Sequence, residues 1–174
     1  INSKKIEDKS KFNSESSIYE IIVRSSNVGS ARLALMVGEK GLKEIFSKLG
    51  LLEPVRLELR EANTTRPILP KNWHDITLAT VSYGYGMSVS LLHLAKAYAI
   101  LGNGRFNIEP TILKKNHNSQ SGSRVLKKTT SDEMLKLLEA VVTDQRGTAR
   151  ILRSKYYRIG GKTGTAEKIS LGTR

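Results

Sequence analysis

Apolar positions recur at helical spacing through most of this chain, beginning after a polar, mixed-charge stretch from Ile1 to Ser16 that carries little core signal beyond Ile6 and Phe12. Ser17-Ile18-Tyr19-Glu20 is a capping-box pattern, with Ser17 as cap and Glu20 returning to it. Ile18, Ile21 and Ile22 then share one face of a short predicted helix that runs into Ser25-Ser26-Asn27. Asn27 is placed to cap a second helix over Val28 to Val37, which leaves Ser25 and Asn27 on the connection between two helices. Glu39 to Leu49 predicts a third, with Leu42, Ile45, Phe46 and Leu49 on one face and Gly50 to stop it.

The pattern then changes. Val55, Leu57 and Leu59 alternate with charged neighbours, as a short strand or extended loop does, and Asn63 to Lys71 is irregular around Pro67 and Pro70, with Trp73 expected to pack nearby. Ser82-Tyr83-Gly84-Tyr85-Gly86-Met87 is punctuated by glycine and reads equally as a cleft lining or as a hairpin-like turn. Ser90 caps the strongest predicted helix, Leu91 to Leu101, whose apolar face is Leu91, Leu94, Ala95, Tyr98 and Leu101 and which Gly102-Asn103-Gly104 ends. Residues 107–113 read as extended and 114–123 as a polar loop. Thr130-Ser131-Asp132-Glu133 is a second capping box, opening a helix that turns Met134, Leu137, Leu138, Val141 and Val142 inward and ends at Gly147. A turn from Thr148 to Arg153 leads to an extended segment carrying Lys162.

Composition bounds the chemistry. The 174 residues suffice for one domain, and no apolar run is long enough to span a bilayer. With no cysteine, disulfide and thiolate chemistry are excluded. His74, His93 and His117 stand apart, so each defaults to a structural or solvated role, and neither a metal nor a cofactor is expected. Lysine and arginine number 29 against 16 acidic residues, a net charge of +13. Such a balance favours anionic partners, but the cations are scattered and only 6 tyrosines, 3 phenylalanines and 1 tryptophan are available for stacking on bases. A surface effect therefore outweighs a nucleic-acid-binding module.

Chemistry concentrates at Lys162-Thr163-Gly164-Thr165, which follows Gly160-Gly161. On an extended segment at a cleft edge, Lys162 and Thr163 would hold a substrate carboxylate, Gly164 would let an extended peptide lie close, and the Thr165 N–H would face a developing oxyanion. A solvated turn is the plain alternative. A phosphate loop fails, because its first glycine would have to stand where Tyr156 does. Ser25-x-Asn27, taken alone, is an ordinary capped helix junction.

Taken together, Ser25-Ser26-Asn27 and Gly161-Lys162-Thr163-Gly164-Thr165-Ala166 resemble the penicillin-recognising serine acyl-transferases, whose fingerprint is Ser-x-x-Lys, Ser-x-Asn and Lys-Thr-Gly. With Tyr83 to Ser90, the Ala95 to Ala99 helix and Gly102-Asn103-Gly104 between them, the chain looks like the class B penicillin-binding proteins, and most like the septal cell-division transpeptidase. The resemblance implies an α+β transpeptidase fold of the penicillin-binding protein and serine β-lactamase kind, incomplete here and mainly helical with a few strands. It also implies an acyl-enzyme reaction that cross-links peptidoglycan stem peptides and binds β-lactams. By position, Ser25 and Lys162 would form the proton relay, Asn27 would hold the substrate amide, Thr163 with Lys162 would take the carboxylate, Gly164 would leave room for the peptide, and Thr165 would serve the oxyanion hole.

One departure matters. No serine in the chain has a lysine three residues on, so the nucleophile and its lysine are absent. The expectation is a partial transpeptidase domain over 1–174, lacking the upstream Ser-x-x-Lys helix and the strands after Lys-Thr-Gly, inactive alone and prone to swapped or dimeric association. The parent is expected at the cytoplasmic membrane with its catalytic domain outside, beside other division proteins. A serine β-lactamase and a non-catalytic β-lactam sensor are the rival readings.

Overall fold

A computed structural model describes residues 5–9, 12, 15–103, 106–114 and 122–164. The described elements are helices: α1 (Ile18–Val23), α2 (Asn27–Lys48), α3 (Arg60–Thr64), α4 (Asp75–Ser82), α5 (Leu91–Gly102) and α6 (Lys128–Thr143), then a 3-10 turn at Arg150–Leu152. β-Structure among the described residues is confined to two antiparallel bridges, Ile68 with Ser88 and Phe106 with Arg124. Among the described residues the segments at 55–59, 107–113 and before Lys162 therefore find no ladder partners.

α1 forms as its capping box dictates, Ser17 accepting from the Glu20 amide and Glu20 returning to the Ser17 N–H. Ile21 is buried and Ile22 packs on the core as predicted, Val23 joins them, and Ile18 alone departs from the predicted face at 56% exposed. The cap of α2 is corrected as well: Ser26, not Asn27, takes the Gly29 amide at 2.8 Å, and Asn27 is the first helical residue. α2 breaks at Gly38 (φ 72°, ψ 175°), which restores the two helices read from the sequence. Its second half ends in a Schellman turn, with Gly50 at φ 72° and the Leu51 N–H reaching Phe46 O at 2.9 Å.

α3 and α4 have no counterpart in the predicted elements. α4 also closes with a Schellman turn, Gly84 donating to Val81 O and Tyr85 to Thr80 O. The Tyr83 to Met87 stretch is thus a helix terminus and not a hairpin. On α5 the buried face is His93, Ala97 and Ile100, not the predicted apolar stripe, and Leu91 is 85% exposed. His93 fixes that rotation: its Nε2 meets Glu53 O at 2.9 Å and must carry the proton, while Nδ1 lies 2.7 Å from Ser90 Oγ. α6 starts earlier than its capping-box pattern predicts, with Lys127 at the cap position and no side-chain cap. Thr130 is then interior to the helix, and the buried Ser131 instead donates to Leu101 O at 2.7 Å, tying α6 to α5.

Among the described residues two apolar clusters form the core. Trp73, Leu78 and Val81 gather Leu42, Phe46 and Met87 where α2 packs on α4. Val141, Val142 and Ala149 gather Ile22 and Ile159. The second cluster positions the site, because Ile22 stands three residues before Ser25 and Ile159 three before Lys162. α6 is thereby the platform on which both arms rest.

Candidate active site

The first arm is the turn between α1 and α2. Ser25 donates to Ile22 O and Ser26 to Ile21 O at 2.9 Å, a Schellman turn with Ser25 in the left-handed position where glycine is usual. Its φ is 57°, the only positive value at a non-glycine among the described residues. The turn is fixed from behind: Asp8 accepts from Ser26 Oγ at 2.9 Å and from the Val28 N–H at 3.1 Å. Ser26 is 3% exposed and Asp8 half-buried, so this is a partly buried hydrogen-bonded lock. Asn27 is half-buried, and its side chain meets no described partner.

The second arm is the stretch from Ile159 through Gly164. Ile159 enters the core, the Gly161 N–H donates to Leu138 O at 3.1 Å, and Arg158 grips Glu139 through Nε at 3.0 Å and Nη2 at 2.6 Å. That bidentate pair holds the carboxyl of Glu139 below its ordinary range. The segment is held to α6 by these contacts.

The two arms meet at Lys162, whose Nζ donates to Ser25 Oγ at 2.5 Å across 137 residues and to Thr163 O at 3.0 Å. Part of Lys162 remains in solvent, yet protein mass around its amine lowers its pKa by desolvation. Among the described residues no carboxylate pairs with it to oppose that shift. Thr163 Oγ1 lies 2.8 Å from Thr148 Oγ1. Among the described residues nothing lies within 4 Å of where a side chain at Gly164 would project, so that face is open to them. Thr165 lies outside the described residues, as does His117.

The structure therefore joins Ser25, Lys162 and Thr163, with Asn27 two residues from Ser25 on the same turn. The Ser25 hydroxyl and an amine of lowered pKa in contact make a relay that can move a proton, and the Thr163 hydroxyl, on the next residue and bonded to Thr148, adds a donor for an anion beside the cation. Sequence reasoning missed Asp8, Ser26 and Thr148. Asp8 sat in a polar stretch with no periodicity, Ser26 was masked by an equally cap-competent Asn27, and Thr148 read as an ordinary turn residue.

Residues 1–174 match the family described as the penicillin-binding protein transpeptidase domain. The chain is 39% identical over 160 residues to a probable peptidoglycan D,D-transpeptidase FtsI of Caulobacter vibrioides, an overlap of 90% of this chain and 27% of that protein. It is 32% identical over 170 residues to the peptidoglycan D,D-transpeptidase FtsI of Escherichia coli K12, covering 97% and 28%. Among solved structures, a peptidoglycan glycosyltransferase from Burkholderia ambifaria is similar at a TM-score of 0.87 and 32% identity, over 97% of this chain and 53% of that one. The apo TP domain of Burkholderia pseudomallei penicillin-binding protein 3 gives 0.84 and 33%, over 96% and 50%. The chain spans about a quarter of the length of these curated relatives, at 27% and 28%.

Proposed function

The chain belongs to the penicillin-binding protein transpeptidase family, and from that premise we propose that it is the part of a septal-type peptidoglycan D,D-transpeptidase domain that carries two of the three active-site motifs. The carrying observation is the contact of Lys162 Nζ with Ser25 Oγ. In this reading a serine supplied by sequence outside these residues attacks the carbonyl between the last two residues of a D-alanyl-D-alanine stem peptide. The C–N bond breaks, terminal D-alanine leaves with a proton, and the acyl group passes to an amine of a neighbouring stem. β-Lactams acylate the same serine.

Each residue of this chain has a role there. Ser25 and Lys162 relay the proton between nucleophile and leaving amine, and a lysine of lowered pKa suits that work because it exchanges its proton nearer neutrality. The unengaged Asn27 amide holds the substrate amide. Lys162 and Thr163 receive the carboxylate, the open face at Gly164 admits the peptide backbone, and Thr165, outside the described residues, takes the oxyanion role that its motif implies. The whole protein is anchored in the cytoplasmic membrane with this domain on the outer side, working beside other division proteins. No described helix is itself long and apolar enough to cross a membrane.

The absence of any Ser-x-x-Lys supports the further proposal that these 174 residues alone are inactive, and the exposed Ile151, Tyr156 and Tyr157 support self-association of the isolated chain. A fluorescent penicillin tests the reading. The full-length protein is expected to be labelled covalently, the 174-residue chain not at all, and Lys162→Met in the full-length protein to slow labelling by about a hundredfold. A full-length protein that takes no label, or labels as fast with Lys162→Met, overturns it.

A further inference from the structure

We infer that Thr148 is a positioning residue for anion recognition: its hydroxyl donates to Thr163 Oγ1, which frees the Thr163 proton for a substrate carboxylate. The inference rests on the transpeptidase reading above and adds a residue that lies outside the three motifs.

Three observations carry it. Thr148 Oγ1 and Thr163 Oγ1 are 2.8 Å apart, a hydrogen bond in which either can donate. A carboxylate accepts only, and a threonine hydroxyl has one proton, so Thr163 can donate to substrate only if it accepts from Thr148. The bond direction is thus dictated by the ligand. Second, the Thr148 backbone cannot drift. Its N–H donates to Val23 O at 3.3 Å, and the next amide, Ala149, donates to Val141 O at 3.1 Å. Third, Thr148 is exposed between buried Gly147 and Ala149, and a Cβ at Gly147 would stand 2.3 Å from Val141 O. Two tightly packed neighbours hold up one solvent-facing hydroxyl.

The placement also ties the arms together. Through its amide Thr148 grips the helix end two residues before Ser25, and through its hydroxyl it grips the residue after Lys162. Its removal from hydrogen bonding changes how the carboxylate is met without touching Ser25 or Lys162.

The test measures acylation rates of the full-length protein by benzylpenicillin and by its methyl ester, which lacks the carboxylate. Thr148→Val keeps shape and the amide contact and removes the donor. It is expected to slow acylation by benzylpenicillin about tenfold, since hydrogen bonds serving a charged group are the stronger class, and to leave the ester rate unchanged within about threefold. Thr148→Ser is expected to restore the acid rate. Equal losses for acid and ester would mean a structural role only, and an unchanged or faster Thr148→Val would mean that Thr163 donates to Thr148; either overturns the inference alone. A wild-type protein that neither compound acylates overturns the functional reading, and this inference with it.

Discussion

Ser25 occupies a backbone position that favours glycine. A left-handed serine costs on the order of 1 kcal/mol relative to glycine, yet the Schellman turn that ends α1 requires that conformation and the hydroxyl is what Lys162 meets. Local stability has been exchanged for an oxygen at the junction of the arms. Ser25→Gly is therefore expected to hold or raise the thermal midpoint while abolishing most penicillin labelling of the full-length protein. Ser25→Ala should keep the strain, lose the oxygen, and be less stable than Ser25→Gly; scanning calorimetry with a labelling assay checks both, and a Ser25→Gly protein clearly less stable than Ser25→Ala would refute the argument. Ser25, Asn27, Lys162 and Thr163 were legible as a motif pair. The meeting of Ser25 with Lys162 was implied only by the resemblance, and its packing cause, Ile22 and Ile159 entering one cluster, was not legible. The choice of Ser26 over Asn27 as cap was equally hidden, since it is set by burial and by Asp8 from a segment without periodicity.

Elements were legible where a local signal acts alone. The Ser17 box and the Ser90 cap formed as read, and Gly38 and Gly50 punctuate α2 as glycine should. They failed where tertiary partners decide. The rotation of α5 follows the His93 hydrogen bonds, against the wider apolar stripe, and the alternating 55–59 segment finds no ladder partner among the described residues. Between elements, α1 and the loop after α6 are joined by Tyr19 to Asp144 at 2.8 Å and Arg146 to Glu20 at 3.0 Å. The Arg146 amide, then the Tyr19 hydroxyl, hold Asp144 below the ordinary carboxylate range, and the same bond raises Tyr19. A depressed carboxyl contributes stability above its unfolded value that is lost as pH falls through the folded one. A raised phenol contributes stability below its unfolded value that is lost as pH rises through the folded one. The join is therefore complete between these limits, and the midpoint of unfolding should fall as pH drops below about 4. Asp144→Asn should flatten that acid limb in a pH series of melting curves; an unaltered limb would show that the join contributes nothing.

At the scale of the molecule, the periodicity indicated helices and little more. The α+β class was readable only through the motif pair, because the described segments that look strand-like pair through no more than two bridges. Around the second arm, Ile151, Tyr156 and Tyr157 are 94%, 88% and 76% exposed. Apolar surface of that kind draws copies together, while a net charge of +13 keeps them apart. Salt screens the second effect and spares the first. Sedimentation of the isolated chain should accordingly show association that strengthens between low and high ionic strength, and a monomer at every salt concentration would dismiss the proposed self-association.

The 137-residue separation of Ser25 from Lys162 has a consequence for biosynthesis. At ribosomal rates, the serine waits about 7 to 27 s before its lysine has even been polymerised. Through that interval a nascent chain carries half of the pair, and Ser25 can meet Lys162 only once residue 162 has been made.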